Sequence, residues 1–243
     1  MRPLRYWELW REYKRDLRQL KEQMGDNLEF PFGRAYPILN EKNAAAGTMS
    51  GAYFHQDLVV ARRIFERHPR RHVDIGSRID GFVAHVASFR EIEVFDIRRP
   101  ETTVRNIVFK QADLMHLPEQ LIGYSDSVSS LHAIEHFGLG RYGDPIDYFG
   151  HLRAIDNVHR ILTPGGQFYF SAPIGPQRIE FNAHRVFSIP YLMRILAGKF
   201  KVLRFSFVDD RGDLEEDVAL SADVVSSNAG CNYGCGIFEL TKA

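Results

Sequence analysis

Cysteine is nearly absent from this chain of 243 residues, which holds only Cys231 and Cys235, within the stretch "CNYGCG". A closed zinc site takes four ligands, so two thiols exclude a metal centre built on cysteine alone. His or carboxylate would have to complete one, and the expectation is two free thiols in a tight Gly-rich loop, with no metal. Net charge is also lacking: Lys+Arg and Asp+Glu are both 31. That balance excludes a dominant nucleic-acid footprint. Long apolar runs are missing as well. None approaches the length of a membrane span, and the opening "MRPLRYWELW" has no signal-peptide core. No nucleic-acid partner, no stable membrane insertion and a cytoplasmic location are therefore expected. No internal repeat is visible.

What is present is ordinary for a globular protein: 44% hydrophobic and 26% charged residues. The length suits one large α/β domain or two small ones. Residues 4–24 read as an amphipathic helix, with Trp10, Tyr13, Leu17, Leu20 and Met24 at alternating spacings of three and four. Its stripe would pack on the main domain or form a homodimer contact; Trp7, Trp10 and the basic residues also fit an interfacial membrane helix. Residues 25–52 are rich in Gly, Pro, Asn and Ala and read as irregular. We therefore expect an N-terminal helix and irregular extension over 1–52, and a main domain over 53–243.

From residue 53 helical and apolar segments alternate. "DLVVARRIFERH" is helical by its spacing, and "HVDIG" is a short buried strand. "FVAHVASF" is helical; "EIEVFDI", "NIVFKQAD" and "SVSSLHAI" are strands. "IDNVHRIL" is a helix closed by "TPGG", followed by the strand "QFYFSAP", the helix "IPYLMRILAG", and the strands "KVLRFSFV" and "GIFELTK". This alternation predicts an α/β fold of βαβ units around a largely parallel sheet. Ligands of such sheets bind beyond the carboxyl ends of the strands. After the first strand come Asp74, Gly76, Ser77, Arg78, Asp80 and Gly81. Asp96 ends the second, placed to accept hydrogen bonds from both hydroxyls of a ribose. Asp113 and Leu114 follow the third, where an adenine edge would lie. His132, Glu135 and His136 follow the fourth, and Ser171 to Pro173 the fifth.

In that order, "HVDIGSRIDG", "EVFDI", "QADLMHLP", "SVSSLHAIEHF" and "NVHRILTPGGQFYFSAP" resemble the motifs of the class I S-adenosylmethionine (SAM)-dependent methyltransferases. The strings "GSRIDGF" and "GLGRYGDPID" further resemble a methyltransferase-like branch known only as a domain of unknown function. The resemblance covers residues 53–243, apart from an insert near 209–235. It implies a Rossmann-like, seven-stranded, mostly parallel sheet with an antiparallel last strand and helices on both faces. It also implies SAM over the first motif, with Asp96 on the ribose, Asp113 and Leu114 near adenine, and Gly76 beside the methionine moiety. The sequence departs from the family at Arg78 and Asp80, where glycine is usual. Arg78 is placed to pair with the methionine carboxylate, or else fills the cofactor's place; Asp80 is placed to cap the following helix.

Other chemistries fit less well. "HAIEH" has the H-x-x-E-H spacing of a zinc protease, whose two His need one helix face, yet these residues directly follow a strand. "GSRIDG" lacks the middle glycine of a nicotinamide loop, and Asp80 would face the pyrophosphate. The altered glycines also support a non-catalytic methyltransferase-fold module kept for binding or assembly. For the enzyme, His136 is the expected general base, with Glu135 or His132 as orienting or substitute groups. Arg141, Tyr142, Asp144, His184 and Arg185 are the expected acceptor contacts, pointing to a small polar molecule or a sugar or glycan hydroxyl. Tyr53, Gln56 and Asp57 are expected to contribute to a lid.

Overall fold

The computed structural model describes residues 3–27 and 29–243. Met1 and Arg2 of the opening stretch, and Leu28 of the irregular one, lie outside the described residues. The chain divides into two compact units, Met1–Thr48 and Met49–Ala243. In the first, helix α1 (Pro3–Met24) precedes an extended segment. Leu9, Tyr13, Leu17 and Leu20 of α1 meet Ile38 and Leu39 around a shallow groove. Lys42 ties that segment to α1 through Glu12 and Asp16, at 2.7 and 2.9 Å.

The second unit begins with α2 (Ala52–Arg67) and strand β1 (His72–Ile75). Then follow α3 (Ala84–Ala87), β2 (Ile92–Asp96), β3 (Ile107–Gln111), β4 (Ser125–Leu131), α4 (Gly150–Ile161) and β5 (Leu162–Ile174). A hairpin of β6 (Arg178–Glu180) and β7 (His184–Val186) leads to α5 (Ile189–Leu196) and β8 (Phe200–Val208). β9 (Leu214–Glu215), α6 (Ala222–Ser226) and β10 (Gly234–Lys242) complete the chain. One sheet runs in the order β3-β2-β1-β4-β5-β10-β8-β9. Its first five strands are parallel, and β10 lies antiparallel between β5 and β8. The two-residue β9 extends the far edge by an eighth strand.

Period-two alternation along the strands feeds two cores, one per face. Phe168, Phe170 and Ala172 of β5 join α4 and α5 on one face, where the ring centroids of Phe170 and Phe238 lie 6.0 Å apart. Tyr169 of β5 joins Val60, Ile64, Phe82 and Val86 on the other, beneath α2 and α3.

Two local features differ from the sequence reading. The strand expected at "QFYFSAP" starts at Leu162, so "TPGG" lies within its pairing run, beside an irregularity between Ser125 and Ser127. The helix expected at "FVAHVASF" opens with a wide π-type turn in which Val83 N–H reaches the Arg78 carbonyl at 3.3 Å.

Candidate active site

Strand order reverses between β1 and β4, so the crevice beyond their carboxyl ends is where an open sheet takes a ligand. A cavity of about 830 Å3 opens there. A buried polar ladder on β1 and β4 leads up to it without lining it. His72 contacts Ser127 Oγ through Nδ1 at 2.8 Å and Ser129 Oγ through Nε2 at 3.1 Å. Ser129 gives its only hydroxyl proton to Asp74 Oδ1 at 2.6 Å, so Nε2 of His72 must be the protonated nitrogen. Burial pushes the imidazole down to about 3, which keeps it neutral.

Asp74 then fixes the loop. It accepts from the Ser77 amide at 3.0 Å and the Ser77 hydroxyl at 2.6 Å, while Ser77 Oγ accepts from Leu131 N–H at 2.9 Å. Burial raises this carboxyl to about 6, against the hydrogen bonds that lower it. Asp74 is fully buried and does not line the cavity; it holds the loop instead of touching a ligand. Gly76, at the turn, has φ +69°, and a Cβ there would stand 3.1 Å from that of Ala133. Only glycine adopts that conformation without strain.

Arg78 has φ −65° and ψ 125°, an ordinary extended conformation, so replacing a glycine there costs no backbone strain. Its side chain does not fill the loop. It folds back onto Asp80, with Nε to Oδ1 at 3.1 Å and Nη2 to Oδ2 at 2.9 Å, and covers the Tyr53 ring at 5.0 Å. Asp80 therefore pairs with Arg78 and makes no helix cap. Gly81 does not line the cavity either. A Cβ at Gly81 would sit 2.6 Å from Asp57 Oδ2, so this glycine lets α2 approach the loop. Gln56 and Asp57 are buried away from the cavity, and of the expected lid residues only Tyr53 lines it.

Asp96 and Asp113 lie where the strand ends should put them, and Leu114 lines the same wall. Both carboxylates already have partners. Asp96 is gripped by Arg98, and Asp113 accepts from Met115 N–H at 2.8 Å and meets His116 at 2.8 Å.

At the opposite wall His132 sits just past β4 with φ +49°, and only Ile134–His136 form a single 3-10 turn. The two His of "HAIEH" are thus not paired on a helix face. Among the described residues no group of three or more His, Cys, Asp or Glu is arranged to hold a metal. Glu135 is fully buried. Its Oε1 lies 3.0 Å from His132 Nδ1 and 3.7 Å from His136 Nε2, and neither carboxylate oxygen receives an aligned hydrogen bond. Burial would lower the His132 pKa, but Cys235 and Glu135 beside it hold it well above the usual value.

His136 Nδ1 is 2.6 Å from the Ala183 carbonyl, which can only accept, so Nδ1 carries the proton and Nε2 keeps its lone pair. Burial lowers the pKa of this imidazole, with Glu135 opposing.

The expected acceptor contacts divide. Arg141 donates to Ala183 O at 3.0 Å, and Tyr142 packs edge-on to His136 at 5.5 Å; both line the cavity, as does His184. Asp144 lines it too, but its carboxylate is taken up by the amides of Gly138, Gly140 and Tyr142 at 2.7, 3.2 and 3.2 Å. Arg185 is buried and reaches no ligand position. It clamps the carbonyls of Glu135, Phe137 and Tyr148 at 3.2, 2.7 and 3.1 Å. Arg98, Arg99 and Tyr233 also line the cavity and were missed. The two arginines follow Asp96 with only Ile97 between, so the strand-end rule alone would have found them. Tyr233 falls in the insert that the motif pattern left out.

The sheet order is that of the class I SAM-dependent methyltransferase fold, and solved structures agree. The [4+2]-cyclase SpnF matches at TM-score 0.54 and 17% identity, over 79% of this chain and 84% of that one. The 1,6-didemethyltoxoflavin-N1-methyltransferase of Burkholderia thailandensis, solved with S-adenosylhomocysteine, matches at 0.53 and 16%, over 77% and 78%. A putative sarcosine dimethylglycine methyltransferase from Galdieria sulphuraria matches at 0.54 and 13%, over 78% and 86%. The family model described as "Caenorhabditis protein of unknown function, DUF268" matches residues 86–232, more than half of the chain, and the chain belongs to that family. No curated protein matches the sequence.

Proposed function

We propose that this chain is a SAM-dependent methyltransferase acting on a hydroxyl of a small polar, sugar or glycan acceptor. The observation that carries the reading is His136. Its Nδ1–H is fixed on a backbone carbonyl and its Nε2 is free, in the cavity that the Gly76 loop enters. The residues fit the cofactor: Gly76 leaves room that a Cβ would fill, the Arg78 side chain is turned onto Asp80, and Asp96 lines the cavity at the end of β2, where this reading puts the ribose. Gly76 and Ser77 would hold the methionine moiety, Asp96 the ribose, and Asp113 and Leu114 the adenine side. Bound there, SAM supplies a methyl group on a sulfonium, open to in-line displacement. His136 takes the proton of the acceptor hydroxyl at Nε2 as the oxygen gains its new bond to carbon. Its lowered pKa keeps that nitrogen unprotonated at neutral pH. Arg141, Tyr142 and His184 orient the acceptor.

Isothermal calorimetry with SAM and S-adenosylhomocysteine tests this reading. We expect binding of both; absence of binding by either ends it. That outcome would favour a non-catalytic binding or assembly module, a reading supported by Arg98 already occupying Asp96.

A further inference from the structure

The inner corner of the cavity holds polar groups that the fold leaves unsatisfied. Glu135 is buried and lines the cavity; its Oε1 is ion-paired with His132 Nδ1 at 3.0 Å without an aligned hydrogen bond, and its Oε2 has no partner. His132 Nε2, beside it, is likewise buried without a partner. Leaving such atoms unpaired is costly, and a buried carboxylate costs most. Two acceptors stand next to each other here: the Glu135 carboxylate, and His136 Nε2 3.7 Å from its Oε1. His136 cannot turn the other nitrogen inward, because Nδ1–H is held by Ala183. A lone hydroxyl satisfies either Glu135 Oε2, the carboxylate oxygen that His132 does not face, or His136 Nε2, and leaves the other without a donor. Two hydroxyls on neighbouring carbons lie about one hydrogen-bond length apart and supply both.

We propose that the acceptor is a vicinal diol, bound through both hydroxyls. One donates to the Glu135 carboxylate, and its neighbour donates to His136 Nε2 and is the oxygen methylated. This rests on the methyltransferase reading above and narrows its substrate class. Glu135 is thereby an acceptor-binding residue, beyond any effect it has on the two His rings. In the transfer the diol oxygen beside His136 forms its bond to the methyl carbon as the carbon–sulfur bond of SAM breaks. The sulfur keeps that electron pair, and the hydroxyl proton passes to Nε2.

The test uses the whole chain and matched probe pairs: cis-1,2-cyclohexanediol against cyclohexanol, catechol against phenol, and methyl α-mannoside against its 2-deoxy counterpart. Ligand-observed NMR reads binding with and without S-adenosylhomocysteine, and labelled SAM reads methyl transfer. Each diol that binds is expected to exceed its single-hydroxyl partner by about 10⁴-fold in kcat/KM, as sites built around substrate hydroxyls do. The pair that responds separates an alicyclic or sugar diol from an aromatic one. Glu135→Gln is expected to erase that preference through KM while S-adenosylhomocysteine still binds. Equal turnover of diol and single alcohol, or no binding of any diol by a chain that binds S-adenosylhomocysteine, overturns the proposal. Failure to bind S-adenosylhomocysteine instead removes the underlying reading. The unmodified protein carries the probe comparison, so a variant that does not fold leaves it intact.

Discussion

The guanidinium of Arg98 closes on both carboxylate oxygens of Asp96, with Nη2 to Oδ2 at 2.8 Å and Nε to Oδ1 at 3.0 Å. The same guanidinium lies 4.1 Å over the Tyr142 ring, so it spans from the end of β2 to the loop after β4. A ribose at Asp96 must compete with this pair. The Arg98 side chain is about half exposed, and a pair of that kind holds roughly 0.2–1 kcal/mol. Arg98→Ala is therefore expected to tighten S-adenosylhomocysteine binding by up to about fivefold, measured by calorimetry. Asp96→Asn is expected to weaken it.

Gly76→Ala forces a left-handed residue with a Cβ, a cost of about 1–2 kcal/mol before its crowding against Ala133. A fall in Tm of about 2–8 °C is expected. Calorimetry on the same variant should show S-adenosylhomocysteine binding lost, since the loop can no longer take its turn.

His136→Ala is expected to lower turnover by about 10²–10⁴-fold with cofactor binding intact. With its pKa below the usual histidine value, the His136 limb of the pH profile should be flat through neutral pH and fall only on the acid side. A limb rising through pH 7 to 8 would mean that another group is the base.

His72 predicts an acid-sensitive fold. Its folded pKa of about 3 lies below the unfolded value of about 6.5. The unfolded chain therefore binds the proton more readily in the interval between them. Stability from this site is present above about pH 6.5 and is lost as pH falls toward 3. Asp74, raised to about 6, acts with the opposite sign: its contribution is present below about pH 3.9 and fades as pH rises through 6. Thermal melts of His72→Asn against the parent should show a shallower loss of Tm between pH 6.5 and 4.

Arg185→Met would leave three backbone carbonyls without their buried donor, at a cost of about 2–4 kcal/mol. A Tm lower by about 4–16 °C is expected. Because the same clamp positions Glu135, turnover should fall further than cofactor affinity.

The strands were legible because burial on both faces leaves apolar runs at β1, β2 and β5, and because strand ends place chemistry by rule. That rule put Asp96, Asp113, Glu135 and His136 at one cavity. It did not show how side chains would be used. Asp74, Asp144 and Arg185 look like ligand contacts in sequence, yet each is consumed by the backbone or hydroxyl groups around it. Several of those partners lie far off in the chain, as Ser129 does from Asp74 and Tyr148 from Arg185, and no local pattern records them. The Arg78 question also needed φ and ψ, since a glycine can be replaced wherever its conformation is ordinary.

The placement of β10 sets an order on synthesis. Among the described residues β8 has no sheet neighbours other than β10 and the two-residue β9, although residues 200–208 leave the ribosome before residues 234–242. Until β10 arrives, β5 shows a bare edge rich in phenylalanine, and β8 has nothing long to pair with. The nascent chain must keep both apart from other strands, so this late insertion is where its folding is most open to aggregation.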